Sequence, residues 1–126
     1  MRRLIIAVVA LLALSAPALA DELSDAKAFI KSANLSTKAD LLMWCGVAFS
    51  ISAATIQDAT EKKTATNLAD ALLTQAAAAL LTAGVKNDDL GKLGADYDLV
   101  IKSEIVDHLA APEHTQEECM AAAKNV

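Results

Sequence analysis

The sequence predicts an all-α fold, a small up-and-down bundle of four to five helices with one disulfide, and three observations carry the prediction. Beyond residue 20, alanine fills 22 positions while proline occurs once, at Pro112, and glycine at only four sites. Apolar residues recur at intervals of three and four, the period of one helix face. No apolar/polar alternation of strand length and no Asn-Gly or Asp-Gly hairpin dipeptide breaks that pattern.

The chain opens on a segment of a different kind. Met1-Arg2-Arg3 is followed by an apolar run from Leu4 to Leu14 and then by Ser15-Ala16-Pro17-Ala18-Leu19-Ala20. A positive start, a short apolar stretch and an Ala-x-Ala site before Asp21 are the marks of a cleavable signal peptide. A membrane-spanning helix needs about 20 apolar residues, more than Leu4–Leu14 supplies. No cysteine follows the site to take a lipid, and Arg2-Arg3 lacks the surroundings of a twin-arginine signal. The expected organisation is a signal peptide over 1–20 and a single helical domain over 21–126.

Removing that segment removes both arginines. Residues 21–126 carry nine Lys against 16 Asp and Glu, a net charge of −7 with His neutral. Arginine forks dominate phosphate and carboxylate recognition, and nucleic-acid binding needs clustered positive charge. Nucleic acid and, after signal cleavage, membrane are therefore excluded as partners, which leaves an unknown protein partner. The sequence sets no oligomeric state.

Capping chemistry places the helices, because an oxygen-bearing side chain at a helix start satisfies otherwise orphan N–H groups. Ser24 is expected to open a first helix from Asp25 to about Ala33, with Ala26, Phe29, Ile30 and Ala33 on one stripe and Asn34 as the stop. Thr37 is expected to cap the second helix, with Asp40 at its third position as an acidic capping box, running to about Ala59. Leu41, Cys45, Ala48, Phe49, Ser52 and Ile56, widened by Trp44 and Val47, make it the central helix. Whether residues 60–64 break it from the third helix, about Ala65 to Ala83, is left open. That helix carries Leu68, Leu72, Ala76, Ala79 and Leu80; its tract Ala76–Ala79 allows close helix approach, and Gly84 is placed for a left-handed terminus. Asn87 or Asp88 is expected to cap the fourth helix, whose stripe is Leu90, Leu93, Tyr97, Ile101, Ile105 and Leu109 and which Pro112 ends. Gly91 and Gly94 weaken its first turns by about 1 kcal/mol each, so its start is expected as late as Ala95. Thr115 and Glu118 form a capping box for a last helix, Gln116 to about Lys124.

Cys45 and Cys119 have only each other to pair with, and an exported domain with an even cysteine count carries disulfides. Their separation of 74 residues makes the bond worth about 4 kcal/mol on the chain-entropy model, and it would staple the short last helix to the second. A redox Cys-x-x-Cys is absent, as is a cysteine-based metal motif.

Few residues suggest chemistry. His108 and His114 titrate near neutrality when unperturbed and lie beside Asp107, Glu113, Glu117 and Glu118, so they are possible pH-sensing residues whose protonation would loosen that corner. Their spacing fits no metal motif, and no metal or cofactor is expected. Asp88, Asp89, Asp96 and Asp98 lack the order of a calcium loop and read as helix-terminus charge. Gly91-Lys92-Leu93-Gly94 lacks phosphate-loop spacing. Ser50, Ser52 and Thr55 read as hydroxyls bonding back to their helix. No catalytic residue is expected and the protein is read as not an enzyme.

In architecture the chain resembles the small exported, all-helical, single-disulfide proteins of Gram-negative bacteria, among them the acid-stress periplasmic chaperones and some periplasmic immunity proteins. The resemblance rests on the signal peptide, Trp44-Cys45 in an early helix and the late Cys119; the cysteine separation is longer than in the acid chaperones. The expected function is that of a periplasmic or secreted non-enzymatic protein acting through protein contacts. An acid-activated holdase and a carrier of a small ligand or metal in the bundle core are the alternatives.

Overall fold

The computed structural model describes residues 20–125. The predicted signal peptide, apart from Ala20, lies outside the described residues. Five helices are described: α1 (20–32), α2 (Thr37–Ala53), α3 (Ala59–Thr82), α4 (Asn87–Ile105) and α5 (Gln116–Ala123). No described residue is in a strand, so the fold class is all-α as expected. No described helix is long and apolar enough to cross a membrane.

Helix boundaries follow local chemistry, with several shifts from expectation. α1 is already helical at residue 20, so Ser24 sits inside it rather than at its cap. Asn34 adopts φ 50° just beyond it, a left-handed position that Asn tolerates. α2 is capped by Ser36, not Thr37, its hydroxyl accepting the Ala39 N–H at 3.2 Å. That one-residue shift takes Asp40 out of the capping box. α2 stops at Ala53 instead of running to Ala59, because Asp58 caps α3 by accepting the Glu61 N–H at 2.9 Å. Residues 60–63 therefore lie within the first turns of α3, and the break falls at 54–58. At the far end of α3, Gly84 has φ 97°; Gly84 N–H reaches Leu81 O and Val85 N–H reaches Leu80 O, at 3.1 and 3.0 Å. This paired closure is the Schellman arrangement that favours glycine.

α4 begins at Asn87 despite its two glycines, with Lys86 at the cap position and no side-chain cap bond. Asp88 and Asp89 in its first turn favour the start through the helix dipole. The helix ends at Ile105, seven residues before Pro112. His108 turns left-handed at φ 54° and Leu109 N–H closes on Ser103 O at 2.8 Å. Leu109, expected on the buried stripe, is instead 67% exposed. α5 starts at its predicted cap, Thr115, whose hydroxyl accepts the Glu118 N–H at 3.1 Å.

α2 is the central element and packs against α3, α4 and α5. Leu42, Met43, Trp44, Cys45 and Val47 of α2 share the core with Leu72, Ala76 and Leu80 of α3 and with Leu93, Tyr97 and Ile101 of α4. α2 and α3 approach closely at Gly46, and Ala76 of the Ala76–Ala79 tract is fully buried in the core. A methyl placed on Gly46 would lie 2.7 Å from Leu73 Cγ and 3.2 Å from the Leu73 backbone nitrogen.

The two cysteines are bonded, with Cα atoms 5.3 Å apart, and both are buried. α5 has eight residues, too few to be stable as an isolated helix; the bond holds it on α2. The connection 106–115 carries the chain back, so that the beginnings of α2 and α5 lie together: Asp40 meets His114 just as Cys45 meets Cys119. Replacing Cys45 and Cys119 together by Ala is expected to lower unfolding free energy by about 2–4 kcal/mol and to release α5. Urea denaturation reads the first effect, and faster proteolysis within residues 106–115 reads the second.

Candidate functional site

A cleft of about 790 Å³ opens where α1, α2 and α4 meet the end of the 106–115 connection, with Asp40, Trp44, Tyr97, Glu104, Glu113 and His114 in its wall. Sequence distance hides this grouping. Asp40 is in the first turn of α2 and Trp44 one turn later on the same face. Tyr97 and Glu104 lie two turns apart on α4, and Glu113 and His114 immediately precede the cap of α5.

Each polar group is held by another. Trp44 Nε1 donates to Glu104 Oε2 at 3.1 Å. The Tyr97 hydroxyl donates to Asp40 Oδ1, leaving Oδ2 to face His114 Nε2 at 3.0 Å. His114 Nδ1 lies 2.9 Å from Glu118 Oε2, and Glu113 Oε1 lies 3.9 Å from His114 Nε2. The imidazole stands edge-on to Trp44, ring centroids 5.5 Å apart. Glu118, expected to complete a capping box, turns to His114 instead; only the Thr115 half of the box forms. Glu104 is 7% exposed, a buried carboxylate that, among the described residues, accepts one hydrogen bond, from the Trp44 N–H.

Electrostatics follow from this crowding. Burial pushes the His114 pKa down, but its hydrogen bonds to Asp40 and Glu118 and the charges of Asp40 and Glu113 outweigh burial and raise it. Glu113 is raised by burial and then by Asp40, with Glu104 adding to the effect and His114 partly opposing it. Glu118 is lowered, chiefly by its hydrogen bond to His114. Burial, reinforced by Asp40, holds the Tyr97 hydroxyl protonated well above the usual phenol range. Among the described residues no lysine forms an ion pair with Asp40, Glu104 or Glu113. Lys27 and Lys31 line the same cleft at the α1 side.

The two histidines part company. His114 is the hub of the cluster, whereas His108 is exposed in the connection and makes no side-chain hydrogen bond or ion pair among the described residues. The expected sign of the pH response is reversed at His114. Both of its nitrogens face carboxylates, so its protonation tightens the corner rather than loosening it. Elsewhere, Asp96 and Asp98 pair with Lys92 and Lys102 at 3.1 and 2.8 Å, one helical turn away, and Thr55 bonds back to Ser52 O at 2.8 Å. The helix-terminus reading thus holds for Asp88 and Asp89 but not for Asp96 and Asp98, which lie inside α4 and are balanced by lysines one turn away.

Sequence reasoning missed Asp40, Tyr97 and Glu104 as site residues. One signal was available: His114 stands five residues before Cys119, and Asp40 five before Cys45. Once the cysteines are joined and the two helices run alongside each other, equal offsets bring that pair together.

No family model, curated protein or solved structure matches this chain. The site is therefore read from its own chemistry.

The cluster makes stability depend on pH. A raised folded pKa at His114 contributes stability that is complete below its unfolded value of about 6.5 and is lost as pH rises through the folded value. Glu113, also raised, acts in the same direction at lower pH. Glu118, lowered, contributes above its unfolded value of about 4.3 and loses that contribution as pH falls through its folded value. Metal-free protein is accordingly expected to be most stable between about pH 5 and 6.5, weakening toward pH 8 and again in stronger acid. His114→Ala should flatten the neutral limb and cost about 1–2 kcal/mol at pH 6. Urea unfolding at pH 5, 6, 7 and 8, followed by Trp44 fluorescence, measures both.

Proposed function

We propose that this is an exported, non-enzymatic binding protein that acts through contacts made at the Asp40–Trp44–Glu104–His114 cleft. One observation carries the reading. Three carboxylates, those of Asp40, Glu104 and Glu113, line one cleft where, among the described residues, His114 faces Asp40 and Glu113 while Glu104 is met only by the neutral Trp44 indole. Partly desolvated like charges raise the energy of the unliganded state, and a cationic group entering the cleft relieves it. Lys27 and Lys31 at the rim suit an acidic neighbour of that group. The ligand chemistry is thus a basic side chain next to an acidic one on a protein partner.

Export is supported by the Met1–Ala20 pattern and by the buried Cys45–Cys119 bond, which belongs to an oxidising compartment. A binding rather than catalytic role is supported by the way the cleft's polar groups hold one another: the phenol on Asp40, the indole on Glu104, the imidazole between carboxylates.

Two measurements test the reading. Mass spectrometry of the protein from the native host is expected to find Asp21 as the first residue; a chain still beginning at Met1 would sink export. An N-acetylated Lys-Asp peptide is expected to shift the NMR amides of Asp40, Trp44, Glu104 and His114, and the same peptide with norleucine for lysine to leave them in place. Equal shifts from both peptides, or shifts scattered over the surface, would remove the cleft from the mechanism.

A further inference from the structure

We propose that the cleft is also a site for a divalent first-row transition-metal ion, ligated by Asp40, Glu113 and His114 Nε2. This rests on the reading of the cleft as a place that accepts positive charge, and it names a different cation.

The donor geometry is the first ground. One ligand atom from each of the three residues lies within 4.8 Å of the others. His114 Nε2 stands 3.0 Å from Asp40 Oδ2 and 3.9 Å from Glu113 Oε1. Tetrahedral coordination with bonds of about 2.1 Å puts ligand atoms roughly 3.4 Å apart, between those two values.

The shell behind the donors is the second ground. A metal-bound histidine nearly always gives its other ring N–H to a carboxylate, which fixes the tautomer and aims the free nitrogen at the ion. Here Glu118 receives Nδ1 at 2.9 Å, and Thr115 holds Glu118 in turn: its hydroxyl lies 3.4 Å from Glu118 Oε1 and accepts the Glu118 N–H at 3.1 Å. Asp40 is likewise oriented through Oδ1 by the Tyr97 hydroxyl, so that Oδ2 faces inward. With Nδ1 carrying the proton, the Nε2 lone pair points at carboxylate oxygens. That arrangement needs a cation between them, either a proton or a metal ion.

Glu104, 7% exposed, lines the same cleft beside the three donors, and its negative charge favours a cation there. The mixed nitrogen and oxygen donor set selects zinc and its first-row neighbours over magnesium or calcium, which prefer oxygen alone.

The test uses the disulfide-bonded protein stripped with EDTA, and zinc chloride as the probe. Calorimetry at pH 7 is expected to find one zinc ion bound per chain with micromolar or tighter affinity. Asp40→Asn and His114→Gln should each weaken binding at least 10-fold, and Glu118→Gln by about 10–100-fold as an orienting partner. Glu117→Gln should leave affinity unchanged. Imidazole ¹⁵N shifts of the wild-type protein give a readout free of any folding defect in the variants: zinc should move His114 Nε2 and leave Nδ1 protonated. Absence of saturable binding, metallation at Nδ1 or at His108, or undiminished affinity in a folded Asp40→Asn variant would overturn the proposal. If zinc fails while the Lys-Asp peptide still shifts the cleft amides, only the metal site falls; if both fail, the binding reading falls with it.

Discussion

The Cys45–Cys119 bond sets the register on which the rest of this molecule depends. α5 is a two-turn helix with one fully buried residue, its cysteine, and apolar burial of that extent cannot offset the entropy of ordering the segment. Joined to the middle of α2, however, the helix has one place to lie. His114 then falls on the first turn of α2, and Glu118 is carried to the other side of the imidazole. A cross-link between two buried sulfurs thus determines where an acidic cluster forms more than a helical turn away.

The cluster departs from the way an ordinary core is built. Around it, α2, α3 and α4 bury alanine, leucine and aromatic surface with close packing at Gly46, and the solvated acids of α4 pair with lysines one turn along. In the cleft, three carboxylates are brought together with one histidine, and two of the largest side chains in the core, Trp44 and Tyr97, direct their polar atoms at those carboxylates. Burying charge without full compensation is destabilising. A stable domain of this size had simpler options, such as apolar residues at 40 and 104. Titratable groups concentrated at one concave place mark a functional site more often than a structural one, which is the ground for proposing a cationic ligand there.

Much of the fold was legible in one dimension. The caps at Thr115 and Gly84, the stripes through Leu72, Leu80, Leu93, Tyr97 and Ile101, and the centrality of α2 all follow from helix periodicity and terminus chemistry. The errors also have physical causes. Ser36 and Thr37 are adjacent competent caps, and their choice depends on which hydroxyl can reach an N–H three residues on. Asp58 outcompetes continuation of α2 because a capped start satisfies backbone donors that a longer helix would have used elsewhere. Leu109 continues the apolar stripe of α4 on paper, but the chain leaves the helix at Val106 and needs the left-handed turn at His108 to reach α2 again.

What the sequence by itself determined is what depends on neighbours within one or two turns: helical class, most termini, the acidic balance and the availability of a single disulfide. What only the tertiary structure decided is which distant charges share a space. Asp40 reads in sequence as a first-turn carboxylate, and nothing in the sequence singles out Glu104. Coulomb and desolvation energies depend on separation in space, and a separation of 57, 60 or 74 residues along the chain carries no such information until α4 and α5 are seated on α2.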